Sequence, residues 1–168
     1  VPACLAGEER ITVICTEDPR AAMAHMAAAL YGFPAEELTL IGITGTKGKT
    51  TTAFMTAEIL RKAGCKTGLI GTVCIDTGSR VMESRQTTPE SADIQKYLRE
   101  MADNGCAAAV MEVSSQALKL GRVEGLIFDI AVFTNLSADH IGSGEHSSLE
   151  EYIYCKSLLF RRCRAAVI

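Results

Sequence analysis

No run of apolar residues in this chain approaches the roughly 20 needed to cross a bilayer as a helix. No cluster of lysine and arginine is long enough to follow a nucleic-acid backbone, and the formal net charge is −3. Neither a membrane span nor a nucleic-acid partner is therefore expected. The first residues lack the basic start and extended apolar segment of a secretory signal. The chain opens on Val1, so its natural start is expected upstream, and a cytoplasmic location is expected. Internal repeats and low-complexity tracts are missing too. The seven cysteines, at 4, 15, 65, 74, 106, 155 and 163, are odd in number and include no C-x-x-C pair. That spacing supports neither a disulfide framework nor a zinc site. Several lie among apolar neighbours, as in Val13-Ile14-Cys15, so free buried thiols in a reducing compartment are expected.

What is present is a chain of 168 residues, 48% apolar and 22% charged, enough to bury a core. A short buried strand is predicted over 11–15. Asp18-Pro19 then opens a helix, with Asp18 as N-cap and Pro19 at the first helical position, running to Leu30 and stopping at Gly32. Further strands are predicted at 38–44, 66–73, 107–112, 127–133 and 165–168, and helices at 49–63, 91–103 and 149–162. Apolar runs alternating with amphipathic helices predict an α/β fold with a doubly wound, mostly parallel sheet. Ligands of such sheets lie beyond the carboxyl ends of the strands. The last residues, Ala165-Ala166-Val167-Ile168, resemble a strand just beginning. A fragment with an unfinished sheet and an apolar edge prone to self-association is the expectation.

Polar residues gather at those strand ends. Gly42-Ile43-Thr44-Gly45-Thr46-Lys47-Gly48-Lys49-Thr50-Thr51-Thr52 sits between an apolar strand and a helix. Glycines let backbone N–H groups approach phosphate oxygens, and the helix N-terminus adds partial positive charge. Lys49 can reach the outer phosphates and the Thr50 hydroxyl can ligate Mg²⁺. The spacing departs from the strict G-x-x-x-x-G-K-T pattern, since position 43 is Ile43. Glu112 closes the next strand, before Val113-Ser114-Ser115, where a second Mg²⁺ contact belongs. A salt-bridged acid at a strand end would look the same. His140, in Thr134-Asn135-Leu136-Ser137-Ala138-Asp139-His140, could ligate a metal or orient a phosphate, or simply occupy a surface turn. Lys156 lies on a mostly apolar helix, where a lysine can also snorkel to solvent.

Together these segments resemble a known family. Gly45-Thr46-Lys47-Gly48-Lys49-Thr50, Thr87-Thr88-Pro89-Glu90, Met111-Glu112-Val113-Ser114-Ser115, Thr134-Asn135-Leu136-Ser137-x-Asp139-His140 and Tyr152-x-x-x-Lys156-x-x-Leu159-Phe160 occur in the order and approximate spacing of the Mur ligases, most closely the MurE type. The resemblance implies 1–37 as the end of an N-terminal UDP-binding domain and 38–168 as a truncated central ATP-binding domain, with the C-terminal domain absent. It implies an ATP- and Mg²⁺-dependent ligase of peptidoglycan synthesis. Such enzymes join meso-diaminopimelate or L-lysine to UDP-MurNAc-L-Ala-D-Glu through an acyl phosphate. Carried over, Gly45, Thr46, Lys47, Gly48, Lys49, Thr50, Thr51 and Asn135 hold ATP. Thr50, Glu112, His140 and a carbamylated Lys156 hold Mg²⁺, and Lys49, Lys156 and His140 act in catalysis. Thr87, Thr88, Ser114 and Arg122 contact the muropeptide. The fragment alone is expected to be inactive. Departures fall at Gln86, Gln116, Leu120 and 141–146, all on the muropeptide side. Alternatives are a folylpolyglutamate synthase-like ligase, which shares the P-loop and lysine, and a P-loop NTPase without ligase chemistry, in which Glu112 would be the Walker B acid.

Overall fold

A computed structural model describes residues 14–137 and 146–168. Helix α1, Pro19–Leu30, starts as its sequence dictates: Asp18 Oδ1 accepts the Ala21 N–H at 2.9 Å. Its buried residues are small, Ala24, Ala27 and Ala28, so it packs closely against the later helix α3. A 3₁₀ turn, Pro34–Glu37, leads into β1, Thr39–Thr44. Then follow α2 (Lys49–Lys62), β2 (Thr67–Ile70), β3 (Cys74–Asp76), β4 (Val81–Glu83) and α3 (Ser91–Asp103). The chain continues through β5 (Ala108–Glu112), α4 (Ser115–Lys119), β6 (Phe128–Phe133), α5 (Leu149–Ser157), a 3₁₀ turn (Leu158–Arg162) and β7 (Cys163–Val167).

The strands form one sheet in the order β4-β3-β2-β5-β1-β6-β7. The pairs β2–β5, β5–β1, β1–β6 and β6–β7 are parallel, whereas β3 runs antiparallel to both of its neighbours, β2 and β4. Central strands are buried on both faces, and successive side chains feed two different cores. Ile41, Ile43, Leu69 and Val110 pack beneath Ala53 and Ala57 of α2. Leu40, Ile70, Ala109 and Met111 pack beneath Ile94, Leu98 and Met101 of α3. Strand β1 lies between β5 and β6, with Ile43 opposite Glu112 and Thr44 opposite Phe133. That register brings the carboxyl ends of three strands to one place.

Several expectations need correction. Ile14 and Cys15 belong to no strand and are exposed, and 11–13 lie outside the described residues. Of the cysteines, only Cys106 and Cys155 are buried among the described residues; Cys65, Cys74 and Cys163 are half-buried and Cys15 is exposed. Burial raises the Cys106 and Cys155 thiols above their ordinary pKa. The helix expected over 149–162 is α-helical only to Ser157, then tightens to 3₁₀. The hairpin β3–β4 and helix α4 were not anticipated. Strand β7 starts two residues earlier than expected and pairs with β6 along one side; its other side is a sheet edge, as expected.

Gly42 carries the tightest constraint in the central strand. A Cβ there would sit 2.7 Å from Phe128 Cδ1 and 2.8 Å from Cε1, and that ring is fully buried. Gly42→Ala should destabilise the domain by about 1–3 kcal/mol, as overpacking typically does. Urea unfolding checks it. The penalty should shrink on a Phe128→Leu background, which removes the ring, and an equal penalty there would locate the strain elsewhere.

Candidate functional site

The loop after β1 is interlocked with the loop after β6. Gly45 has a φ of +147°, and a Cβ on it would lie 2.0 Å from Thr134 Oγ1. Only glycine fits. Thr134 Oγ1 donates to the Lys47 carbonyl at 2.6 Å, and Asn135 bonds Lys47 twice, accepting from its N–H at 3.0 Å and donating to its carbonyl at 2.9 Å. The Thr46 N–H donates to the Asn135 carbonyl at 2.9 Å. Asn135, expected at the nucleotide, thus braces the nucleotide loop in this structure. Gly48, with φ +83°, turns the chain into α2, and Thr50 and Thr51 begin that helix.

Two lysines converge on one carbonyl. Lys49 Nζ donates to Gly45 O at 3.0 Å and to Thr46 O at 3.1 Å. Lys156 Nζ donates to the same Gly45 O at 2.8 Å and lies 4.4 Å from the Tyr152 ring centroid. Lys156 is 3% exposed, so it does not snorkel: its amine ends at the loop. Tyr152 is buried, and its hydroxyl donates to Thr46 Oγ1 at 3.1 Å, tying α5 to the loop a second time.

Glu112, at the end of β5 and opposite Ile43 of β1, is fully buried. Its Oε2 accepts from the Thr50 hydroxyl at 2.9 Å and the Thr72 hydroxyl at 3.2 Å, and its Oε1 accepts from the Thr72 N–H at 2.9 Å. A Cβ on Gly71 would fall 2.4 Å from Oε1, so that glycine makes room for the carboxylate. These partners are hydroxyls and an amide, not a lysine or arginine, which sets aside the salt-bridged alternative. A buried carboxylate beside a threonine hydroxyl at a helix N-terminus is a set of hard oxygen donors suited to Mg²⁺. The residues therefore fit a magnesium–nucleotide site.

A cleft of about 440 Å³ opens beside these groups, lined among others by Lys49, Thr87, Thr88, Ser114, Arg122 and Lys156. Thr88 is buried and structural as well as lining: its hydroxyl donates to the Glu112 carbonyl at 2.9 Å and accepts the Ser114 N–H at 3.0 Å. Arg122 Nη1 donates to Thr88 O at 3.2 Å, and its Nε pairs with Glu90 at 2.8 Å. Ser114 caps α4, accepting from the Ala117 N–H at 3.1 Å. The expected residues Asp139 and His140 lie outside the described residues. Two residues at the site went unanticipated, Thr72 and His146, whose buried Nε2 lies 2.9 Å from Ser115 Oγ, and Tyr152, known only as a motif position, gains its bond to Thr46. Thr72 had a signal, a polar residue just past a parallel strand. His146 had none beyond its place in a variable stretch.

Residues 43–168 match the Mur ligase middle domain. The chain belongs to the Mur ligase family. It is 51% identical over 150 residues to the UDP-N-acetylmuramoyl-L-alanyl-D-glutamate–2,6-diaminopimelate ligase of Bacillus licheniformis, covering 89% of this chain and 30% of that protein. It is 48% identical over 158 residues to the UDP-N-acetylmuramyl-tripeptide synthetase of Bifidobacterium longum, covering 92% and 30%. A solved structure of a UDP-N-acetylmuramoyl-L-alanyl-D-glutamate–2,6-diaminopimelate ligase superposes with a TM-score of 0.74 at 29% identity, over 88% of this chain and 31% of that one. This Mur ligase chain thus spans about 30% of the length of these curated relatives.

The helix that carries Lys156 in this Mur ligase domain is anchored at its start. Ser148 Oγ accepts the Glu151 N–H at 3.2 Å, and Glu151 Oε2 accepts from the Ser147 N–H at 2.6 Å and hydroxyl at 2.7 Å. Lys119 meets Glu151 Oε1 at 2.8 Å. Bonds from Lys119 and Ser147 hold the Glu151 carboxyl down at about 2, against an ordinary 4.5. A depressed carboxyl stabilises the fold above its ordinary pKa, and that contribution is lost as the pH falls through the folded value. Between pH 4.5 and about 2 the wild type should lose stability more steeply than Glu151→Gln. Urea midpoints across that window check this; parallel curves would remove Glu151 from the acid response.

Proposed function

We propose that this chain is the ATP-binding part of a ligase that joins a diamino acid to UDP-MurNAc-L-Ala-D-Glu in peptidoglycan synthesis. The observation that carries it is the meeting of Lys49 and a buried Lys156 on one loop carbonyl, beside a polar cleft. A plain P-loop NTPase has no use for the second lysine. The relatives named for muropeptide ligation support this reading over folylpolyglutamate synthesis. We assign 1–37 to the end of a UDP-binding unit and 38–168 to the ATP-binding unit.

In this proposal the backbone of 45–51 cradles the phosphates and Lys49 leaves its loop carbonyls for the outer phosphate oxygens. Thr50 and Glu112 would hold Mg²⁺, and His140 and Lys156, as its carbamate, would supply further ligands for the metal. Bound Mg²⁺ neutralises charge on the phosphates during transfer. Thr87, Thr88, Ser114 and Arg122 orient the substrate carboxylate, which forms an acyl phosphate that the amine of the diamino acid then opens, releasing phosphate. Tyr152 holds Lys156 against the loop. Carbamylation converts the Lys156 cation into an anion with two oxygen donors, a change that suits a residue facing a metal.

Because the chain spans about 30% of its relatives, Mg·ATP binding is the direct test. Lys49→Ala should abolish binding while leaving the protein folded, as a cooperative urea transition checks; Lys49 donates to Gly45 O and Thr46 O, both within its own loop. Wild-type affinity in the variant would remove Lys49 from the site.

Carbamylation has its own readout. With ¹³C-bicarbonate and Mg·ATP, the wild type should give a carbamate carbon signal that Lys156→Ala lacks. The same signal in both would place the carbamate on another lysine.

A further inference from the structure

We propose that Thr72 is a positioning residue, a hydroxyl relay that couples occupancy of the Glu112 carboxylate to the donor capacity of Thr87 in the cleft. The proposal rests on the magnesium–nucleotide reading of the site. Thr72 follows Gly71 at the carboxyl end of β2, next to β5. Its N–H bonds Glu112 Oε1 at 2.9 Å, which fixes the residue irrespective of its side chain. Its hydroxyl then lies between two acceptors, Glu112 Oε2 at 3.2 Å and Thr87 Oγ1 at 3.0 Å.

A hydroxyl has one proton. Bonds to an ionised carboxylate are about twice as strong as neutral ones, so Glu112 takes the Thr72 proton although Thr87 is nearer. Thr87 must then donate to Thr72, and its own proton is turned away from the cleft. A divalent cation that engages Oε2 weakens the hold of Glu112 on Thr72. The Thr72 proton swings to Thr87, and the Thr87 proton turns outward. The cleft gains a donor for an acceptor oxygen, such as a carboxylate or amide carbonyl of the muropeptide. No bond is made or broken beyond hydrogen bonds. Linkage makes the effect mutual: the muropeptide must tighten Mg–nucleotide binding by the same factor.

Thr72→Val keeps the shape and the backbone bond to Glu112 but removes the relay. Thr72→Ser restores the hydroxyl without the methyl group. Thr72 is exposed, so neither change opens a cavity. Calorimetric titrations of UDP-MurNAc-L-Ala-D-Glu into the full-length ligase, with and without Mg²⁺ and a non-hydrolysable ATP analogue, read the coupling; the reverse titrations check reciprocity. Wild type and Thr72→Ser should bind the second ligand at least about fivefold more tightly than the first alone allows. Thr72→Val should bind each ligand singly as the wild type does, with the coupling gone. Thr87→Val, which breaks the relay at its other end, should also lose it. Wild-type coupling in Thr72→Val, no coupling in the wild type, or failure of Thr72→Ser to restore it would overturn the relay. Failure of wild type to bind Mg–nucleotide at all would instead overturn the site reading beneath it.

Discussion

The contact between Gly45 and Thr134 is the constraint on which the site depends. Two loops, following adjacent parallel strands, approach so closely that no Cβ fits between them. Each loop supplies what the other lacks: Thr134 and Asn135 satisfy the peptide of Lys47, and Asn135 O receives the Thr46 N–H. Backbone groups that would otherwise need water are paired. With its inner side closed, the loop turns the Gly45 carbonyl toward α5, within reach of Lys49 and Lys156.

Electrostatics follows from that geometry. A buried lysine and a buried glutamate are each costly unless paired. Here they have separate partners: Lys156 bonds a carbonyl and lies against an aromatic face, among other contacts, and Glu112 accepts from hydroxyls and an amide. Neither is the other's partner, and a cation and an anion are held at the mouth of the same strands. A polyanion with its own divalent cation is complementary to such a pair. Arg122, tied to Glu90 and Thr88, places a further donor at the cleft wall.

Much of this was legible in the sequence where pattern and chemistry agreed. Helix α3 runs over 91–103 as its amphipathic spacing predicts, and α1 starts at the Asp18-Pro19 signal. Glu112 and the loop from Gly45 to Thr50 fell at strand ends because continuous apolar runs locate parallel strands well. The hairpin was illegible because β3 and β4 have three residues each, too few for alternation to register. Its turn is local chemistry, with Asp76 Oδ1 accepting the Gly78 N–H at 2.9 Å. The strand expected over 11–15 relied on apolar character alone, and Ile14 is 62% exposed. Thr72, Tyr152 and His146 owe their roles to neighbours distant in sequence, which no local window contains.

The doubled bond at Gly45 O bears on how the proposed nucleotide loop could give up Lys49 to an anion. In the resting arrangement Lys49 is bound to two carbonyls of its own loop, so its charge is satisfied. Phosphate oxygens are ionised and are stronger acceptors than main-chain carbonyls, so moving Lys49 to them is favourable. A carbonyl abandoned in a buried loop would ordinarily cost about 1–3 kcal/mol, enough to offset much of that gain. Gly45 O does not become an orphan, because Lys156 stays on it. In the proposed function the second lysine, before it is carbamylated, would therefore serve the first by keeping a donor on Gly45 O as Lys49 leaves for the phosphates. Tyr152, bonded to Thr46 and stacked on Lys156, makes that support independent of the nucleotide.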